Sequence, residues 1–186
     1  GSVDVYKRQV YDFDQAAMQL YVVEGGSAIA PSPRAMAETA DTLVVALSTD
    51  EAVRTAVLGA NGLVNGMRKG TPLVIVGAGP PDAIVTLDRA LVSHGVATVD
   101  AVVLDSTKDV AHGQPALLAG GTQRALDIAA PVLDALGAPV IRTGTPGTAR
   151  AAHAICDLLT VAGLIAGAEG LLIAKRYGLD PLAALE

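Results

Sequence analysis

The sequence predicts an α/β fold: a mainly parallel sheet built of βαβ units, followed by a long helix. Three observations carry this. Short apolar runs such as Leu43-Val44-Val45 and Leu73-Val74-Ile75-Val76 read as strands buried on both faces. These runs alternate with amphipathic stretches at the spacing of βαβ units. Gly144 to Tyr177 then opens on a glycine-rich turn and continues for some thirty residues broken by no proline after Pro146.

Taken in order, Val10-Tyr11-Asp12 is expected to end a strand, and Asp14 to N-cap a helix to Val23 that Gly25-Gly26 closes. Ser27 to Ala30 predicts a short strand, and Ser32-Pro33-Arg34 starts a helix ending near Ala40. Asp41 to Leu47 predicts a buried strand, after which Thr49 or Asp50 caps a helix to Leu58. Leu73 to Val76 is the next strand, with a Gly77-Ala78-Gly79-Pro80-Pro81 turn and a helix over Asp82 to His94. Ala97 to Leu104 and Ala116 to Ala119 are expected strands, Thr122 to Leu136 a helix, and Pro139 to Arg142 the last strand. In the final helix Lys175-Arg176 suits a C-terminus, Gly178 a C-cap and Pro181 a stop. The domain boundary is expected in the Gly144–Thr148 turn, giving residues 10–145 as one domain and 146–186 as the start of another. Residues 1–9 read as a non-native leader, because Asp4-Val5-Tyr6-Lys7-Arg8-Gln9 matches the translation of a DNA sequence resembling a transposon adapter used in sequencing libraries.

Composition bounds the function. The chain has 186 residues, 51% of them apolar, which supplies a core and argues against disorder. Aromatics are 3% and the net charge is −6, so neither base stacking nor phosphate-backbone binding is expected. The one cysteine, Cys156, permits no internal disulfide and fits a reducing, cytoplasmic setting. The long apolar helix has the length of a membrane span; Glu169 in mid-run and the surrounding globular pattern favour a soluble reading. His94 and His112 lack partners at metal-ligand spacing, so no metal is expected.

Asp12 stands where a dinucleotide fold places a carboxylate on the adenosine ribose. No Gly-x-Gly-x-x-Gly loop lies upstream of it. The ordered set of segments resembles the β-hydroxyacid dehydrogenase family, which includes 3-hydroxyisobutyrate, tartronate-semialdehyde and threonate dehydrogenases. The residues that carry the likeness are Tyr11-Asp12, Ser32-Pro33, Ala40-Asp41, Val44-Val45-Ala46-Leu47-Ser48, Asp100-Ala101, Gly120-Gly121, Gly144 with Gly147, and Gly178-Leu179-Asp180-Pro181. The resemblance implies a Rossmann domain joined by the long helix to an all-α domain, truncated here at both ends, and usually a dimer or tetramer. It implies cofactor contacts at Asp12, Leu47, Ser48 and Ala78. NAD is the expected cofactor, since Asp12 repels a 2′-phosphate and Phe13 stands where NADP users usually carry arginine; NADP is the alternative.

The departures from the family pattern concern chemistry. The catalytic lysine falls on His153 and the asparagine pair after it on Cys156 and Asp157. The Ser-Gly-Gly loop that cradles a substrate carboxylate falls on Leu104, Asp105 and Ser106. A Ser-Thr pair near the nicotinamide falls on Gly77 and Ala78. Carbonyl reduction needs a proton donor beside the developing alkoxide, and imidazole is suited to that task near neutral pH. His153 and Asp157, four apart on a helix, share a face. His153 is the expected acid/base and Asp157 its orienter, with a small alcohol or carbonyl compound as substrate. Asp105 disfavours a carboxylate substrate, so an imine-reductase-like enzyme acting on a neutral or cationic substrate is the alternative. A non-catalytic nucleotide-binding dimer is the rival of another class, with Gly163, Ala166, Gly167 and Gly170 as a small-residue face for a second copy.

Overall fold

The computed structural model describes residues 9–23, 28–104, 115–137 and 139–181. Seven strands and six α-helices are seen among them: β1 (Gln9–Val10), α1 (Gln15–Val23), β2 (Ala28–Ile29), α2 (Pro33–Thr39), β3 (Leu43–Val45), α3 (Asp50–Leu58), β4 (Pro72–Val76), α4 (Pro81–Val92), β5 (Ala97–Val103), β6 (Leu117–Gly121), α5 (Gln123–Leu136), β7 (Val140–Gly144) and α6 (Thr148–Tyr177). A 3₁₀ turn over Leu63–Asn65, which the sequence pattern did not predict, separates α3 from β4.

Four of the six helix starts are capped by a local side-chain acceptor. Asp14 accepts from the Ala16 amide, Ser32 from Ala35, Thr49 from Ala52 and Thr122 from Ala125; of the two caps offered for α3, Thr49 is the one used. Some strands are shorter than the runs that announce them, whereas β4 begins already at Pro72 and β6 continues to Gly121. The run Asp41–Leu47 yields only β3 over Leu43–Val45, and β1 stops at Val10, so Asp12 lies two residues beyond the strand rather than in it.

The sheet is mainly parallel. β1 and β2 form a parallel pair, and a five-stranded sheet has the order β3-β4-β5-β6-β7. Its ladders are parallel except between β5 and β6, where Asp100 faces Gly120 in antiparallel register. In a doubly wound sheet of order 3-2-1-4-5-6, β2 and β1 take the third and second places and β3 to β5 the fourth to sixth. The first place belongs to no strand among the described residues.

Period-two alternation divides the core between the two faces. Leu73 and Ile75 of β4 pack with Val53, Val57, Ile84 and Leu87 from α3 and α4. Val74 joins Val99, Ala101, Leu126 and Leu133 on the α5 face. A third, small cluster of Val102, Leu118 and Ala149 seats the first turn of α6 on β5 and β6. The rest of α6 leaves the sheet: Ile155, Leu158, Leu159, Leu164 and Ile165 are all more than half exposed.

Candidate active site

The start of α6 is held by a buried carboxylate. Asp100, wholly buried in β5, accepts the backbone N–H groups of Gly147 and Arg150, each at 3.2 Å, through Oδ2. Those are amides of a helix N-terminus, which lack partners within the helix and carry the positive end of its dipole. Gly120, opposite Asp100 in the ladder, clears the space above: a Cβ there would lie 2.6 Å from the Thr145 carbonyl oxygen. Gly147 enters the helix with φ 94°, and a side chain there would meet Val85 of α4 at 2.9 Å.

The Arg150 side chain is buried as well. Its Nε lies 3.4 Å from Asp100 Oδ1, an ion contact outside hydrogen-bond geometry, while Nη1 donates to Asp50 Oδ1 at 2.9 Å. Burial pushes the Asp100 carboxyl above its usual range, outweighing the opposing pull of the Arg150 and Gly147 contacts.

One turn beyond Arg150, His153 turns its Nδ1 to Asp157 Oδ2 at 3.2 Å, with the imidazole 21% exposed and the carboxylate 66% exposed. The i,i+4 meeting expected from spacing is therefore present, at the last partly buried turn before the helix emerges. Cys156, between them, is exposed.

Of the other sequence-predicted residues, Asp12, Leu47, Ser48, Ala78 and Leu104 follow the ends of β1, β3, β4 and β5. Asp12 is half-buried and its Oδ1 is tied back by the Asp14 amide at 2.9 Å, which leaves Oδ2 available. Leu47 is partly buried against the core, whereas Ser48 and Ala78 are exposed. Leu104 packs beside Val102, Leu118 and Ala149 under the α6 start. Asp105 and Ser106 lie outside the described residues. The sequence pattern does not single out Arg150, and it offers Asp50 only as a candidate helix cap and Asp100 only as part of a family pattern. Nothing in a linear pattern joins residues fifty and a hundred positions apart.

The residues present suit the adenosine end of a dinucleotide. Phe13 stacks edge-on to Tyr11 with ring centroids 5.7 Å apart, and with Thr49, Glu51, Ala52 and Thr55 it lines a cleft of about 280 Å³ next in sequence to Asp12. A larger cleft, about 470 Å³, runs between α3 and α4 and contains none of the sequence-predicted site residues.

Residues 4–144 match the family model described as the NAD-binding domain of 6-phosphogluconate dehydrogenase. The chain belongs to this family. Within it the similarity is to hydroxyacid dehydrogenases, as the resemblance implied. The bovine mitochondrial 3-hydroxyisobutyrate dehydrogenase is 28% identical over 176 residues, 95% of this chain and 52% of that protein. A solved 3-hydroxyisobutyrate dehydrogenase from Salmonella typhimurium superposes with a TM-score of 0.75 at 26% identity, covering 93% of this chain and 60% of the other. A Myxococcus stipitatus imine reductase variant in complex with NAD+ superposes with a TM-score of 0.81 at 20% identity, over 94% and 60%, and shares the fold. The chain spans about half the length of the curated relatives it matches.

Proposed function

We propose that the protein is an oxidoreductase that transfers hydride between a nicotinamide cofactor, NAD in preference to NADP, and a small alcohol or carbonyl substrate. The observation that carries this is the His153–Asp157 pair at 3.2 Å on the partly buried opening turns of α6, in a chain of the NAD-binding family.

The nicotinamide supplies or takes the hydride. Asp12 would take the adenosine ribose hydroxyls through Oδ2 and oppose a 2′-phosphate. Leu47, Ser48 and Ala78 would border the cofactor from the β3–α3 and β4–α4 loops. His153, with Nδ1 turned to Asp157, keeps Nε2 for the substrate oxygen and moves the proton there. Asp157 holds the ring orientation.

Leu104, Asp105 and Ser106 would line the substrate side. The carboxylate of Asp105 supports a second reading, reduction of a neutral or cationic C=N bond, because a carboxylate substrate would meet like charge. The apolar surface of α6 supports a homodimer: Leu158, Leu159 and Leu164 are exposed, and no atom of the described residues lies within 4 Å of a Cβ built on Gly163, Gly167 or Gly170.

A panel of 3-hydroxy acids, ketones and cyclic iminium compounds, assayed with NADH and NADPH, tests the reading. Turnover with one class, lost about 10²–10⁴-fold in His153→Ala, supports it. Turnover unaffected by His153→Ala removes the assigned acid/base. Tight nucleotide binding with no turnover of any class leaves the non-catalytic dimer.

A further inference from the structure

We propose that Arg150 is a positioning residue: one guanidinium braces the β3–α3 and β4–α4 loops against the first turn of α6. The geometry is specific. Nη1 donates to Asp50, the first residue of α3, and Nε approaches Asp100 in β5. The same Nη1 lies where a side chain on Gly79 would come within 2.9 Å, so the β4–α4 turn closes directly over the guanidinium, and Gly79 holds φ 145° to do so.

Three loops thus meet on one cation. Two of them carry Leu47, Ser48 and Ala78; the third launches the helix that carries His153. Arginine suits the position because its planar, permanently charged fork reaches two carboxylates at fixed angles, which a lysine ammonium does not. Two carboxylates on one buried cation also give the group a partner on each side, so neither contact is redundant. A brace of this kind fixes the distance between the proposed cofactor-bordering loops and the proposed proton donor without touching either ligand. Where those loops face rests on the cofactor reading; the brace itself does not.

Asp50→Ala is the sharper test, because Asp50 is 43% exposed and the loss of its carboxylate leaves the Asp100–Arg150 contact in place. Amide hydrogen exchange is read at Gly77, whose N–H bonds to Ala101, and at Ala151, whose N–H bonds to Gly147. Both are remote in sequence from position 50, so a purely local loosening of α3 does not reach them. Exchange at both is expected to quicken about tenfold in Asp50→Ala and in Arg150→Lys, and to stay unchanged in Asp82→Ala, which removes a carboxylate from the first turn of α4. The dissociation constant for NADH is expected to rise about tenfold in the same two variants, the effect of losing one charged hydrogen bond. Exchange within twofold of wild type in both variants overturns the brace. If the wild-type protein binds no NADH, the cofactor reading fails while the exchange data still judge Arg150.

Discussion

Asp100 and Arg150, fifty residues apart in the chain, are buried against each other, and the carboxylate of one accepts the backbone amide of the other at 3.2 Å. The sheet thereby grips the long helix by its N-terminal amides rather than by apolar packing alone. Removing the carboxylate leaves two amides and a buried guanidinium without their shared partner. Asp100→Ala is expected to cost about 3–5 kcal/mol, read as a lowered urea midpoint at unchanged slope. Asp100→Asn keeps an acceptor oxygen for the amides and loses only the charge, so it is expected to cost less.

The same burial sets a pH dependence. Loss of solvent around the Asp100 carboxyl pushes it above the ordinary aspartate value of about 3.8. Over the interval from about 3.8 up to that raised value, the folded chain holds a proton that the unfolded chain has released. Stability contributed by this group therefore falls as pH rises through the interval, and is recovered on acidification. Asp127 works in the opposite sense, since Arg142 and Gln123 lower its carboxyl; it is exposed, and solvent screening makes its part small. Urea midpoints of wild type and Asp100→Asn, compared from about pH 3.5 to 7, are expected to diverge with rising pH, wild type becoming the relatively weaker. Parallel curves would show that the Asp100 proton is not linked to folding.

Gly120 and Gly163 make contrasting predictions for the same substitution. Gly120→Ala drives a methyl group to 2.6 Å from the Thr145 carbonyl and 2.7 Å from the Thr148 hydroxyl, at the point where α6 meets β6. Overpacking of this kind costs about 1–3 kcal/mol. Gly163→Ala meets nothing within 4 Å and replaces a mid-helix glycine, which favours the helix by about 1 kcal/mol in the isolated chain. With both substitutions placed in the monomeric Leu158→Glu/Leu164→Glu background, thermal melts should move in opposite directions.

Much of this architecture is legible in the sequence because local chemistry dictates it. Ser32, Thr49 and Thr122 announce their helices, Gly178 closes the last one with φ 71°, and Leu73-Val74-Ile75 reads as buried because both its faces are. His153 and Asp157 could be paired from spacing alone, since four residues make one helical turn. The antiparallel step at β5–β6 and the Asp50–Arg150–Asp100 network could not. Strand direction depends on how the connection folds back, and the network joins residues whose separation in sequence carries no period. Arg150 looks, in one dimension, like an ordinary charge on an apolar helix; only its 3% exposure marks it as structural.

The emergent part of α6 leads to the last prediction. A helix that is apolar on every side is stable in water only when covered, and from Ile155 to Ile173 its large apolar side chains other than Leu171 are exposed in the single chain. The helix is also long and apolar enough to cross a membrane, so two kinds of cover compete. Its attachment to a sheet through buried charges at Asp100 and Arg150, and the open small-residue positions at Gly163 and Gly167, favour a second copy packing helix to helix. Light scattering is expected to give twice the chain mass for the wild type, and Leu158→Glu with Leu164→Glu to give the monomer while the far-ultraviolet spectrum of the α/β domain persists. Wild-type protein that scatters as a monomer at every concentration, or that partitions quantitatively into lipid vesicles, would exclude the dimer.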